Sequence, residues 1–363
     1  MSNRRQREPF AGRGFTLPRS ALPRSALPRS TRKVMVMSDT DEFVRLTDPF
    51  RRELLVHCYR MLGSADDAED LVQETYLRAW RAYDDFEGRS SLRTWLYRIA
   101  TSACLTALEH RSRRLLPSVL VPPSEDASAP LHRAEDGRAW VQPLPDTLGR
   151  TEATDPAAIV DSRAGIRLAW TAAMQNLSAK QRAVLILRDV LAWHASEVAE
   201  LLGISTAAVN SALQRARAQM ERLAAEGDWG AEPTQQHVRR QLDEYVAAFE
   251  NADMAKLVAL LRQDVVLEMP PFLTWFTGRE PVVQFLADRC TNGTRMARVW
   301  ANGQPAVVAY FRGNDPLDDR FHARTLHVLT VDGSGISRIV AYRDQAVIEK
   351  FGLPMALPSA AAR

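Results

Sequence analysis

Lysine is nearly missing: Lys33, Lys180, Lys256 and Lys350 are the four among 47 basic residues. Cationic contacts therefore fall to arginine, whose planar fork suits phosphate and carboxylate. Cysteine is scarce too. Cys58, Cys104 and Cys290 stand far apart with no CxxC pair, which excludes a disulfide scaffold or a cysteine zinc site and suits a reducing cytoplasm. No run of about 18 uncharged apolar residues occurs, so no transmembrane span is expected. The basic N-terminus also lacks the apolar core of a secretory signal. What is present is an ordinary globular composition, with 46% hydrophobic and 25% charged residues among 363. That composition excludes wholesale disorder, and the length predicts two or three domains.

The net charge of +3 conceals a strong pattern. Residues 1–40 are basic, 41–87 acidic, 88–116 basic, 117–157 acidic, 158–225 basic and 226–363 weakly acidic. Such alternation fits a protein with two polyelectrolyte partners, a nucleic acid and a basic protein surface; it fits solvated faces as well.

Residues 17–30 read LPRSALPRSALPRS, a five-residue repeat whose prolines bar helix and which offers no core. We expect 1–40 to be a disordered basic tail, with Met35 and Met37 as alternative starts just ahead of the first folded segment. From Pro49 to Arg114 the apolar spacing is helical. Ala68, Leu71, Val72, Thr75 and Ala79 form one stripe and Leu92, Trp95, Leu96, Ile99 and Ala103 another. Residues 117–157 are rich in proline and acids and read as a linker. Its segment Trp140–Val141–Gln142–Pro143–Leu144–Pro145 is more apolar than a spacer needs. Helical pattern returns over 158–224, and GDWGAEPT (227–234) breaks it. The last unit predicts helices near 236–252, 254–263 and 279–290, a strand near 264–269 and two hairpins. Those hairpins turn at Asn302–Gly303 and at Asp332–Gly333–Ser334–Gly335. Helices followed by antiparallel strands indicate an α+β domain with its helices on one sheet face.

Three segments carry chemistry. In ASEVAELLGISTAAVNSALQRAR (195–217), Val198, Ala199 and Leu202 make a helix face, Gly203 permits a left-handed stop and Ser205 can cap the next helix. This is helix-turn-helix spacing, whose second helix enters a DNA major groove. Asn210, Ser211, Gln214 and Arg215 avoid the apolar stripe. Arg215 and Gln214 suit guanine and adenine edges, and Arg217 and Arg182 suit phosphates. A plain helical hairpin is the competing reading. In DAEDLVQETYLRAW (67–80), Asp70, Gln73, Glu74 and Leu77 form an acidic strip with an apolar tooth, either a docking face or a solvated one. In FEGRSSLRTWLYRIATSACLTALEHRSRR (86–114), a Gly/Ser loop leads into a helix with Trp95, Tyr97, Arg93 and Arg98, ending in Arg111, Arg113 and Arg114. Aromatics with arginines can stack and clamp single-stranded bases. Trp95 also sits on the core stripe, which makes Ser90, Ser91 and Arg93 the better strand contacts.

Together these segments, with LSAKQRAVLILRDV (177–190), resemble the extracytoplasmic-function sigma factors of bacterial RNA polymerase over about 48–114 and 160–223. The resemblance implies that Asp70, Gln73, Glu74 and Leu77 dock on the polymerase β′ clamp helices. It implies that Ser90, Ser91, Arg93, Trp95, Arg98 and Ser102 open and read the −10 element. Ser205, Asn210, Ser211, Gln214, Arg215 and Arg217 would read the −35 element from the β flap. Residues 117–157 resemble the connector that threads the catalytic cleft. Ser102 and Asn210 depart from the asparagine and the basic residue common in the family. A second basic position is Ala212 here, so the promoter sequence cannot be borrowed from relatives.

Residues 236–350, with NGQPA, VIEKFGLP and the linker's WVQPLP, resemble the SigG and SigJ type, which adds a C-terminal SnoaL-like α+β cone. The expected fold is thus multidomain: two all-α domains, region 2 over 41–116 and region 4 over 158–225, then the cone over 235–355 and a tail over 356–363. The expected function is promoter-specific initiation in the cytoplasm with core polymerase and promoter DNA as partners. The resemblance implies regulation in cis by the cone, and we expect Trp140 and Pro143 to receive it. No cofactor or metal is expected. The competing reading makes the cone an isomerase, cyclase or hydrolase, or a small-ligand sensor, with Glu268, Tyr310 and His327 (and His322) as pocket candidates by strand position.

Overall fold

The structure, a computed structural model, describes residues 41–110, 113–135, 138–149, 167–226, 233–289, 293–313 and 318–359. The expected basic tail, Arg111, Cys290 and the break after 226 lie outside the described residues or mostly so. The chain up to Asp48 is a unit of its own, helical over 41–47. All that follows concerns the second unit, Pro49–Arg363.

Helices α1 (Arg51–Leu62), α2 (Ala65–Ala82) and α3 (Leu92–Glu109) pack by the stripes the sequence predicts. Leu54, Cys58, Met61, Ala68, Val72, Ala79, Leu96, Ala100 and Cys104 are buried. Gly63 ends α1 at φ +68°, a conformation that favours glycine. The hydroxyls of Ser64 and Ser91 accept from the amides of Asp67 and Thr94, capping α2 and α3.

A second helical group holds α6 (Leu168–Met174), α7 (Ala179–Leu185), α8 (Ala195–Leu202) and α9 (Thr206–Glu226), numbered after two one-turn helices of the linker, α4 (Pro117–Leu120) and α5 (Asp146–Gly149). Ser178 and Gln181 close a reciprocal capping box on α7, which runs on through a π-helical turn to Val190. Gly203 stops α8 at φ +63°.

The third part begins with α10 (Gln235–Glu250), α11 (Met254–Leu260), β1 (Leu261–Glu268), β2 (Trp275–Thr277) and α12 (Arg279–Ala287). The hairpins follow: β3 (Arg295–Ala301) with β4 (Gln304–Arg312), and β5 (Phe321–Asp332) with β6 (Gly335–Tyr342). Helix α13 (Gln345–Glu349) and strand β7 (Ala356–Leu357) complete it. The sheet order is β2-β1-β6-β5-β4-β3, with β7 added on β5. Asn302 and Gly303 both have positive φ, as the expected type I′ turn requires.

Three expectations change. The sheet is mixed, because β1 pairs parallel with β6; β2, helix α12, the β3–β4 hairpin and β5 intervene, which is chain enough for a crossover. The expected tail begins with a strand: Phe321 and His322 pair with Leu357 and Ala356, and Arg295 donates to the carbonyls of Pro358 and Ser359. The acidic linker is no free spacer over its described part. Its backbone amides and carbonyls bond along the cone: Ser124 N to Trp275 O at 2.8 Å, Leu273 N to His132 O at 2.7 Å and Ala134 N to Pro271 O at 3.1 Å. An extended chain without internal pairing must satisfy its polar groups elsewhere, and the open edge near β2 supplies partners.

Candidate nucleic-acid interface

Helix α9 is divided lengthwise. Val209, Ala212, Leu213, Ala216 and Met220 are buried, while Asn210, Ser211, Gln214, Arg215 and Arg217 are exposed. Ser205 is exposed, and its hydroxyl accepts from Ala208 N at 3.2 Å, capping the helix start. The turn at Gly203 and this cap set α9 across α8, leaving a polar face that carries arginine and two amides. Ala212, the second position where a basic residue is usual, lies on the inner face of α9 at 8% exposure.

Two arginines assigned to phosphates have other partners. Arg217 forks onto Asp189, with Nε and Nη2 at 2.9 and 2.6 Å from its oxygens. Arg182 is buried at 2% exposure. It donates to the carbonyls of Met61, Gln175 and Leu177 and, at 2.6 Å, to Gln175 Oε1. Burial pushes its pKa down to about 10, so it stays charged at neutral pH. Its position at the C-terminal end of α1, where carbonyls lack helical partners, makes it a cationic cap between the two helical groups.

Along α2, Asp70, Gln73 and Leu77 are exposed, and Leu77 is 51% accessible. Glu74 is half-buried and pairs with Arg78 one turn on, at 2.8 Å. The first turn of α2 is engaged: Asp67 holds Arg114 at 2.6 Å, and Asp66 meets Lys350 of the cone.

At the start of α3, Ser90 is half-buried, whereas Ser91 and Ser102 are exposed. Trp95 is half-buried, stacked on Phe86 with ring centroids 4.8 Å apart. Tyr97 is buried and its hydroxyl donates to Glu53 at 3.2 Å. The same Glu53 takes a bidentate fork from Arg93, at 2.7 to 2.9 Å. Arg98 reaches the other helical group and pairs with Glu200 of α8 at 2.6 Å. The structure therefore brings α3 and α8 together through a cation–anion contact, with Arg182 as a second tie.

The WVQPLP segment is the junction of all three parts. Val141 and Leu144 are fully buried, Pro143 is buried and Trp140 half-buried. Val141 joins Leu168, Tyr310, Leu326, Val328 and Tyr342 in one core. Polar contacts fix the register. Gln142 Oε1 accepts from Ser64 Oγ at 2.8 Å and Ala65 N at 3.1 Å, and its carbonyl accepts from Tyr59 Oη at 2.7 Å. Asn302 exchanges bonds with Leu144, each at 2.9 Å, and its Nδ2 donates to Tyr59 Oη at 2.7 Å. Tyr342 Oη donates to Val141 O at 2.9 Å. Sequence reasoning missed the contacts of Gln142, Asn302 and Tyr59, and it assigned Arg182 to phosphate. The one signal for Gln142 was a lone amide inside an apolar hexapeptide; Asn302 was read as turn chemistry alone.

The three pocket candidates separate. His327 lines a cavity under α10 and α12, and its Nδ1 lies 3.0 Å from Tyr245 Oη. Burial lowers its pKa to about 4, keeping it neutral. Glu268 and Tyr310 face the opposite side of the sheet. Glu268 accepts from Ser118 N of the linker at 2.9 Å and meets Arg338, while Tyr310 Oη donates to Pro354 O. His322 sits near the domain margin, 2.8 Å from Asp318. Strand position alone could not say which face each residue took, because bulges shift the registers of β4 and β5. Among the described residues no cluster of potential metal ligands occurs, and no helix is long and apolar enough to cross a membrane.

Family models for sigma-70 region 2, sigma-70 region 4 and a SnoaL-like domain match residues 46–114, 167–220 and 242–341. The extracytoplasmic-function RNA polymerase sigma factor SigG of Mycobacterium tuberculosis is 46% identical over 324 residues, covering 87% of this chain and 85% of that protein. SigJ of the same organism is 29% identical over 320 residues, covering 85% and 93%. The crystal structure of that SigJ superposes with a TM-score of 0.58 at 23% identity, over 87% of this chain and all of the other, and so shares the fold.

Proposed function

The chain belongs to the extracytoplasmic-function RNA polymerase sigma factors, and from that premise we propose how its surfaces divide the work. Residues 41–116 and 158–225 act as the two initiation domains, and the cone over 235–355 regulates them in cis. Asp70, Gln73, Glu74 and Leu77 dock on the β′ clamp helices in the cytoplasm. Ser90, Ser91, Arg93, Trp95, Arg98 and Ser102 engage the −10 element, and Ser205, Asn210, Ser211, Gln214, Arg215 and, on leaving Asp189, Arg217 engage the −35 element from the β flap. The observation that carries the reading is the lengthwise division of α9, whose outer face is polar and whose inner face is packed.

The element names put the two sites about 25 base pairs apart, roughly 85 Å of duplex at 3.4 Å per step. Here the two helical groups are tied together by Arg98–Glu200 and by Arg182 on Met61. One protein body with its readers so joined has to open before both elements are engaged. Arg93 and Arg98 exchange their carboxylates for nucleic acid in that step. The Val141–Gln142–Leu144 junction makes the cone a party to the opening. The cone's role is regulatory rather than catalytic, a reading supported by the Tyr245 partner of His327 and by the separation of Glu268 and Tyr310 from it.

Run-off transcription with reconstituted holoenzyme tests the assignment. Arg215→Ala should cost about 1–3 kcal/mol in promoter binding and relax preference at one −35 position. Unchanged selectivity would remove Arg215 from direct readout.

A further inference from the structure

The cone keeps a cavity of about 340 Å³ between its sheet and helices α10 and α12. That volume is within the range of about 300–1,000 Å³ typical of small-ligand sites. Its floor is built by neighbouring strands in register: Leu267 of β1 beside Ile339 of β6, and Ala341 of β6 beside His327 of β5. Phe249 of α10 and Phe285 of α12 wall it. Apolar floor and aromatic wall suit a hydrocarbon body.

The rim has a different chemistry. Arg289, Arg312, Arg324 and Arg343 all line the same cavity. None of the four forms an ion pair among the described residues, in a chain where many other arginines do. Arg289 sits over the Phe285 ring, its guanidinium carbon 3.6 Å from the centroid, and gives one hydrogen bond to Phe285 O. Stacking holds the fork in place without neutralising it. The adjacent Asp288 also lines the cavity and offsets part of this charge. Arg289 feels the charge of Arg343, and Arg343 that of Arg324; burial and this repulsion both lower their pKa values. Cations gathered at the mouth of an apolar cavity have a cost that an anion would relieve.

We infer that the cone binds an amphipathic small molecule, an apolar body seated over Leu267, Ile339 and Ala341 with one carboxylate or phosphate held by Arg289 and Arg343. Arginine forks accept either head group in bidentate fashion. His327 stays neutral beneath the body and bonded to Tyr245, so the site binds without needing a reaction. This goes beyond the regulatory reading and does not depend on it.

The test uses the full chain and the fluorescent probe 1-anilinonaphthalene-8-sulfonate. Saturable probe binding should be displaced by decanoate at a concentration at least about tenfold lower than by decanol, since only decanoate offers a charge-assisted bond. Arg289→Gln with Arg343→Gln should abolish that preference while decanol displaces as before. Ala341→Phe, which fills the floor, should weaken both. Because a filled core can misfold, the arginine pair decides the matter if Ala341→Phe is unstable. Decyl phosphate against decanoate identifies the head group, either order supporting an anionic ligand. No saturable binding, equal potency of decanol and decanoate, or an unaltered preference in the arginine variant would each overturn the proposal.

Discussion

The two faces of the cone's sheet differ as much as its two neighbours do. On β5, Leu326 and Val328 point into a core completed by Val141 of the linker and by Leu168 and Ala172 of α6. His327 and Leu329 point the other way, towards an open cavity and a core of the cone's helices to which the described part of the linker adds only Ala127 and Leu131. The first face is filled by segments from elsewhere in the chain, and Gln142 and Asn302 hold their register with side chain to backbone bonds. The second face leaves space unfilled and cations unpaired among the described residues. Close packing is the rule in protein interiors, so a void costs dispersion and burial energy. One face is therefore a socket for the chain itself, and the other carries the cavity in which we propose that a ligand binds.

Truncations on the two faces should separate them most sharply. Leu144→Ala removes a side chain at 1% exposure from the socket, and a buried leucine lost without collapse costs about 2–5 kcal/mol. Leu286, at 4% exposure, borders the cavity and already lacks neighbours on that side. Leu286→Ala should cost less than Leu144→Ala in urea unfolding. Equal losses would mean that the cavity is closed in solution and the contrast between faces is lost.

Acid should probe the faces next. His327 has a pKa lowered to about 4 by burial, against 6.5 for the free side chain. The unfolded chain takes up the proton first, so stability is full above pH 6.5 and declines as pH falls to about 4. The decline amounts to about 3 kcal/mol, at 1.36 kcal/mol per unit. His327→Gln should flatten the profile over that window. His57 gives the matching case in the first helical group, lowered to about 3 by burial and by Arg60. There Thr101 Oγ1 already donates to Tyr97 O, so His57 Nε2–H donates to Thr101, and Nδ1 is buried without a partner. His57→Gln should flatten the profile further into acid than His327→Gln; identical profiles would show one cooperative acid transition insensitive to either site.

Asn302 is the smaller lever on the socket. Its φ of +58° belongs to the turn, and its side chain belongs to Leu144 and Tyr59. Asn302→Gly keeps the turn and removes the bonds, which leaves Leu144 N without its acceptor at a cost of about 1–3 kcal/mol. Limited proteolysis should then cut the linker near Val141 while the β3–β4 hairpin stays intact. An uncut linker would make apolar burial alone responsible for docking.

These same residues show what was legible in the sequence and what was not. Helical stripes, Gly203, the cap at Ser205 and the Asn302–Gly303 turn are local rules, and each could be read from a window of a few residues. The exposed faces of α2 and α9 follow from the same periodicity. Arg182 was misread because the α1 carbonyl that completes its burial, Met61 O, lies 121 positions away, although its other acceptors on Gln175 and Leu177 are within seven residues. Nothing local distinguishes a buried arginine cap from a phosphate contact. Glu268 and Tyr310 were misplaced for want of the sheet's register. The parallel pairing of β1 with β6 is also a long-range fact, which hairpin signals cannot carry. The apolar excess of WVQPLP was visible, but its partners on the cone were not.

The gentlest test concerns the contact that joins the helical groups to each other rather than to the cone. Arg98 and Glu200 meet at 2.6 Å, with side chains 29% and 72% exposed. A pair so open to water stabilises by about 0.2–1 kcal/mol. Its direct effect on unfolding by urea should therefore be close to the limit of measurement. Its effect on output should be easier to see, because Glu200→Gln frees Arg98 without touching the −10 surface itself. If opening of the two helical groups limits initiation, the variant should raise run-off transcription about two- to fivefold at low salt, the factor that 0.4–1 kcal/mol corresponds to. The gain should shrink as added salt shortens the Debye length below about 10 Å and weakens the pair in the parent protein as well. Arg98→Gln breaks the same pair but removes a proposed −10 contact, so it should lower output at every salt concentration. Responses of opposite sign would tie the pair to opening, whereas a loss of output in Glu200→Gln would make Glu200 part of the initiating surface rather than a latch on it.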